Sequence, residues 1–229
     1  MNLYNSKSLG VAALVCSGCD AQIPADELLR FSCPNRGIGD DDHVLRVQLS
    51  PDEIRDGWPG DSPADGANPF IRYRKLSYGY LQAMRLGMAD SEYVAVVREL
   101  ADAIAQFDKP MQCTELSYCD ALGCWIKNET ENISGSHKAR HLIGTAIDME
   151  VATRLGGGSD APLAIASCGN AALAAAVVAK AAGRQLQVFV PSNANPAVVA
   201  RLESLGATRI VCEMRSSKNL VTKMASCPF

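Results

Sequence analysis

No apolar run in this 229-residue sequence approaches the roughly 20 residues that a membrane-spanning helix needs. Nor does charge of either sign predominate. Lys and Arg number 22 against 25 Asp and Glu, a net charge of −3, which removes the electrostatic case for nucleic acid or an anionic membrane as partner. The apolar patch Val11–Val15 is too short for a signal-peptide core and runs at once into Cys16-Ser-Gly-Cys19. A cytoplasmic protein is the expectation. Internal repeats and long low-complexity tracts are also missing. Cysteine is not scarce, but nine cysteines, an odd number scattered through predicted helices and strands, do not suggest a disulfide framework. Cys113, Cys119, Cys124, Cys168 and Cys212 read most simply as small buried or half-buried residues. Hydrophobic residues make up 48% of the chain, enough for the core of one sizeable domain, with or without a small appendage.

Four segments follow from the pattern. Residues 1–50 hold a cysteine-containing, ribbon-like unit. Cys16-Ser-Gly-Cys19 is a C-x-x-C pair, and Cys33-Pro-Asn-Arg36 resembles half of a second, with Arg36 where a fourth cysteine would stand. Such spacing directs thiolates at one tetrahedral zinc ion. Cys16, Cys19 and Cys33 supply three ligands, and His43, at an unusual spacing, is the candidate fourth. A degenerate ribbon of plain buried thiols is the alternative; a redox pair lacks the surrounding βαβ pattern. Residues 51–110 are a linker and helical segment. The Pro-, Gly- and Asp-rich stretch 51–70 reads as linker or long loop, residues 71–87 as one helix, and Ser91 as the cap of another whose Val94, Val97, Ala101 and Ile104 share a face. Residues 111–213 form an α/β domain. Strand-like CWIKNE is followed by a long helix over 134–155, a strand over 161–167, a helix closed by Gly183, the strand LQVFVP, a helix closed by Gly206, and the strand ATRIVCE. Strands alternating with helices predict βαβ units in a parallel sheet with flanking helices, and their continuous apolarity predicts that both faces are covered. Residues 214–229 lose this rhythm and form an irregular tail.

Two strand-to-helix turns hold the candidate chemistry. One is Asn132-Ile-Ser-Gly-Ser-His-Lys138; the other is Ser167-Cys-Gly-Asn170. Turns at the carboxyl ends of parallel strands are where ligands bind. Each opens a helix whose first amides carry partial positive charge. A lysine there is biased toward its neutral, nucleophilic form, as a Schiff-base lysine requires. Taken from this turn alone, Lys138 reads more simply as a solvated residue of a capped helix start. His141, one turn on, either tunes the lysine or contacts phosphate, or else is simply packed or solvated. Glu129 and Glu131 either orient the lysine loop or are ordinary loop charges.

The succession IKNETENISGSHKARH, ASCGNAALAAAVVAKAAG and VFVPSNANPAVVARLESLGA resembles the fold-type II pyridoxal-phosphate enzymes, from about Cys124 to Cys212. The cysteine ribbon tips the comparison toward threonine-synthase-like members, some of which carry such a segment. The resemblance implies that Lys138 holds pyridoxal 5'-phosphate, that Ser136 and His137 (in place of the commoner phenylalanine) flank the cofactor, and that Asn170 meets its ring oxygen. It implies that Ser167, Cys168 and Gly169 receive the carboxylate of a small amino-acid substrate. A lyase or synthase working by β- or γ-elimination or replacement, and a homodimer, are the corresponding expectations.

The sequence also departs from the family. After Cys212 neither the glycine-rich phosphate loop nor a residue for the pyridine nitrogen is found, and a C-terminally truncated member is expected. GGGSD, Gly156 to Asp160, joins a helix to a strand at the opposite end of the sheet from the ligand. The T-P-L element expected before the first strand is degraded to Thr114-Glu115-Leu116. Alternative readings are a non-catalytic remnant, or an interaction module built on the zinc-ribbon-like segment.

Overall fold

The computed structural model describes residues 13–23, 27–28, 30–59 and 67–212. They divide into two compact units, Met1–Val96 with Val151–Gly158, and Val97–Glu150 with Ser159–Phe229. The tail 214–229 lies outside the described residues.

In the first unit a three-stranded antiparallel sheet, ordered β2-β1-β3, is made of β1 (Ala13–Cys16), β2 (Gln22–Ile23) and β3 (Leu45–Gln48). The stretch read as linker begins instead with a helix, α1 (Pro51–Gly57). Its start is over-determined. Ser50 accepts from the Glu53 amide, Glu53 accepts from the Ser50 amide, and Pro51 lacks the N–H that would otherwise go unpaired. Part of the linker, residues 60–66, lies outside the described residues. The single helix expected over 71–87 is broken into α2 (Pro69–Arg72), a 3-10 turn (Arg74–Leu76) and α3 (Tyr78–Arg85). The break has a local cause. The Arg74 guanidinium takes the Ile71 carbonyl and pairs with Asp90, and Ser77 is extended. Asp90, not Ser91, opens α4 (Asp90–Ala105), and Glu92 reaches back to the Ala89 amide. Tyr80 and Tyr93 stack edge to face at 5.0 Å between ring centroids.

In the second unit, β4 (Leu116–Cys119) and β5 (Cys124–Lys127) form an antiparallel hairpin, so the CWIKNE strand does not join the parallel series. A 3-10 turn (Ile133–Gly135) leads to α5 (Lys138–Arg154), four residues later than the sequence predicts. Then come β6 (Leu163–Ala166), α6 (Asn170–Ala181), β7 (Leu186–Pro191), α7 (Pro196–Ser204) and β8 (Thr208–Cys212). The three strands are parallel in the order β6-β7-β8, which is the α/β architecture expected. Gly183 and Gly206 end their helices with φ of +65° and +85°, a left-handed shape that other residues adopt at a cost. Asn195 caps α7 by accepting from Ala197 N. Burial follows sheet position. Central β7 is mostly buried, β6 is half-buried and β8 mostly exposed, so two-sided cover holds for the central strand alone. Val177, Val188 and Val190 sit in the core with the alanines of α6. Of the cysteines read as buried or half-buried, Cys212 is buried and Cys119 half-buried, whereas Cys113, Cys124 and Cys168 are exposed. No described helix is long and apolar enough to cross a membrane.

Candidate active site

Lys138 is the first residue of α5. Its backbone amide donates to the Ser136 hydroxyl at 3.2 Å, so Ser136, buried, serves as the cap of the helix start. His137 and Lys138 are exposed, and Lys138 Nζ has no partner among the described residues.

A carboxylate holds the turn in shape. Glu129 accepts from Arg140 Nε at 2.9 Å and Nη2 at 2.8 Å, from the Thr114 hydroxyl at 2.7 Å and from Asn132 Nδ2 at 2.9 Å. Asn132 Nδ2 also donates to the Ser136 carbonyl at 2.9 Å. One carboxylate thus ties together the residue that opens the turn and the residue two past the lysine. The Arg140 guanidinium holds the Glu129 carboxyl down at about 2, with help from Thr114 and Lys127 and against the effect of burial. Lys127 Nζ in turn lies 2.5 Å from the Thr114 hydroxyl. Of the two loop carboxylates singled out from sequence, Glu129 therefore orients the lysine turn. Glu131 is exposed and pairs with Lys109 at 3.1 Å.

Ser134 is left-handed, with φ +55°, an uncommon conformation for a residue with a side chain. Its amide donates to Asp108 Oδ1 at 3.0 Å, and its hydroxyl is buried with no hydrogen-bond partner. Ile133 beside it is fully buried, and the 3-10 turn packs against α6.

The helix against which this 3-10 turn packs, α6, is the one that Asn170 opens. Asn170 and Cys168 are exposed, and Ser167 and Gly169 are half-buried. The Ser167 hydroxyl accepts from Gly169 N at 3.5 Å, and a methyl group placed on Gly169 would meet nothing within 4 Å. The space beside Gly169 is therefore open. His141 is exposed, and its carbonyl accepts from the Thr145 hydroxyl, the solvated reading of this residue. Gly156 to Asp160 joins α5 to β6 at the strand's amino end.

Sequence reasoning passed over Thr114, Asn132, Ser134 and Arg140. Thr114 stood out only as part of a degraded motif, yet it is buried and bonded to Glu129 and Arg140. The detectable signal was the dense alternation of polar and charged residues from Lys127 to Arg140, more than a solvated loop needs.

In the first unit, Cys16, Cys19, Cys33 and His43 each present a ligand atom within 4.8 Å of all the others. Donation from the Asn35 amide is the main cause that draws the Cys19 thiol down to about 6, whereas burial pushes Cys33 up.

A family model described as pyridoxal-phosphate dependent enzyme matches residues 105–227. Comparison with curated proteins finds no match. Among solved structures, the chain is similar to a hydrogen sulfide-producing enzyme from Fusobacterium nucleatum, with 20% identity over 54% of this chain and 40% of that one and a TM-score of 0.40. It is similar to diaminopropionate ammonia lyase from Escherichia coli, with 20% identity over 57% of this chain and 38% of that one and a TM-score of 0.40. It is also similar to maize serine racemase, with 22% identity over 57% of this chain and 39% of that one and a TM-score of 0.40. The aligned part thus spans 38–40% of the length of each of these three structures.

Proposed function

The chain belongs to the pyridoxal-phosphate dependent enzyme family, and on that premise we propose that it is a threonine-synthase-like lyase or synthase. It acts on a small amino acid by β- or γ-elimination or replacement, with Lys138 as the catalytic residue. The observation that carries the reading is the packing of the 3-10 turn before Lys138 against the helix that Asn170 opens.

The residues present suit the ring end of the cofactor. Lys138 Nζ is exposed and unpartnered among the described residues, and Asn170 is exposed at a helix start. In this reading Lys138 holds the cofactor's aldehyde carbon and Asn170 its ring oxygen, with Ser136 and His137 beside them. Bound pyridoxal phosphate supplies an electron sink that allows a proton to leave the substrate Cα. Lys138 Nζ, released from the aldehyde carbon when the substrate's amino group takes its place there, would take that proton and return it. The turn Ser167-Cys168-Gly169 receives the substrate carboxylate at the amino end of α6, where backbone N–H groups face outward and the space beside Gly169 is open. Glu129, through Asn132 and Arg140, fixes the turn from which Lys138 projects.

The test is an absorbance spectrum of the purified chain after addition of pyridoxal phosphate, before and after borohydride reduction, followed by peptide mapping. A visible band that reduction converts into a label on Lys138, and that Lys138→Ala abolishes, is the expected result. A chain that gains no band, or one whose label persists in Lys138→Ala, would refute the assignment.

A further inference from the structure

The ribbon-like segment holds a second constellation, apart from the lysine turn. We propose that Cys16, Cys19, Cys33 and His43 bind one structural zinc ion through three thiolates and His43 Nδ1, and that Asp40 orients the histidine. Four observations converge on it.

The first is the spacing of the ligand atoms. Cys19 Sγ and Cys33 Sγ are 3.6 Å apart, and His43 Nδ1 lies 3.5 Å from Cys16 Sγ and 3.4 Å from Cys33 Sγ. Zinc bonds of about 2.3 Å to sulfur and about 2.0–2.1 Å to nitrogen, set tetrahedrally, give edges of about 3.8 Å between sulfurs and about 3.6 Å from sulfur to nitrogen. These three edges have those dimensions, and all four ligand atoms lie within 4.8 Å of one another. A disulfide does not account for it. Bonded sulfurs lie about 2.0 Å apart, and a disulfide would leave the convergence of Cys16 and His43 unexplained.

The second is the histidine's own geometry. His43 Nδ1 faces the sulfurs, while Nε2 is 3.0 Å from Asp40 Oδ2. A carboxylate on the far nitrogen fixes the tautomer that leaves Nδ1 as a lone-pair donor, the usual support of a ligating histidine. Arg36, where sequence spacing puts a fourth cysteine, donates from Nε to the Asp40 carbonyl at 3.0 Å. It holds the loop that brings Asp40 to His43, and His43 completes the set.

The third is the set of donors around the thiolates. Three thiolates on one divalent ion leave a net negative charge. Gly18 N approaches Cys16 Sγ, Asn35 N approaches Cys33 Sγ and Asn35 Nδ2 approaches Cys19 Sγ, each at 3.4 Å. These donors meet the charge that metal binding creates.

The fourth is the backbone of the first knuckle. An added Cβ on Gly18 would stand 2.6 Å from the Asp42 carbonyl oxygen, so that turn closes on the His43 loop only with glycine. Asp20 after it is left-handed, with φ +55°. Ser17 donates to the Val44 carbonyl through both its amide and its hydroxyl, fastening the knuckle to the residue that follows the histidine. Four protein ligands close the coordination shell, which makes the ion a cross-link and not a reactive centre. A cross-link has a purpose in this segment, where Phe31 and Ile38 are exposed and little apolar surface is buried.

The experiment uses the full chain. Zinc content is measured after purification and exhaustive dialysis, and the ion is exchanged for cobalt to record a spectrum. About one zinc per chain, and a cobalt spectrum with thiolate charge-transfer bands and intense tetrahedral d–d bands, are expected. Cys16→Ser and His43→Ala lose the ion. Cys124→Ser, an exposed cysteine outside the cluster, keeps it. Asp40→Asn keeps all four ligands and weakens zinc affinity about 10-fold. A wild-type chain that retains no zinc, or a cobalt form without thiolate bands, overturns the proposal without reliance on any variant folding. So does zinc that survives in Cys16→Ser and disappears in Cys124→Ser. None of these readouts requires pyridoxal phosphate, so this proposal and the assignment of Lys138 fail separately.

Discussion

Replacing Glu129 with glutamine removes the charge around which the lysine turn is folded. The native carboxyl is held at about 2 against an ordinary 4.5. At about 1.4 kcal/mol per pH unit this difference is worth roughly 3 kcal/mol, and the side chain's 16% exposure reduces it by solvent screening to about 2 kcal/mol. Because the folded value lies below the unfolded one, the stabilisation is complete above 4.5 and is lost as pH falls toward about 2. Urea unfolding of wild type and Glu129→Gln from about pH 7 down to about pH 3 should therefore give a constant gap near neutrality that closes on acidification. Glutamine still accepts from Asn132, so the loss falls on the Arg140 pair, and Arg140→Gln should cost little more in the Glu129→Gln background. The reasoning is refuted if the gap is below about 0.5 kcal/mol at neutral pH, or if it does not change with pH.

Asp148 carries the opposite perturbation. Burial alone lifts its carboxyl from 3.8 to about 7, so its ionisation erodes stability as pH rises through that window and no further above it; Asp148→Asn should match wild type near pH 4 and exceed it by about 2–4 kcal/mol near pH 8 in the same assay. Ile133 is fully buried in the 3-10 turn, and Ile133→Ala should cost about 2–5 kcal/mol by urea unfolding. The same variant should reduce the yield of borohydride-fixed label on Lys138, although the side chain is remote from the chemistry.

The parallel strands and helices of the second unit were legible because each carries a local signal. The apolar runs of β6 and β7 are short and bounded, and Gly183 and Gly206 mark helix ends. The start of α5 was misplaced because small residues read equally well as helix start or turn. What decides it is the left-handed Ser134 and the Glu129 network, and these depend on contacts from Asp108 and Thr114 far back in the sequence. The hairpin partner of β5 was hidden for a similar reason: Leu116–Cys119 carries no strong strand pattern and is half exposed. α1 is masked by the Pro-, Gly- and Asp-rich composition around it, although its Ser50–Glu53 capping box is a local and complete signal. Cys16, Cys19, Cys33 and His43 were visible as residue types. The C-x-x-C spacing also marked them as one candidate ligand set; what the sequence did not show is how His43 reaches the thiols, which rests on the β1–β3 pairing and on the Arg36 contact.

The edge position of β6 bears on how this chain behaves at high concentration. Its sequence Leu-Ala-Ile-Ala has no charged residue, it is half-buried, and among the described residues nothing pairs with its outer side. A short uncharged strand with a free ladder of backbone donors and acceptors is a template for another chain's strand, whereas the far edge, β8, carries Arg209. Self-association of the purified chain should therefore begin along β6, and a lysine at Ala164 should suppress it more than a lysine at Val211.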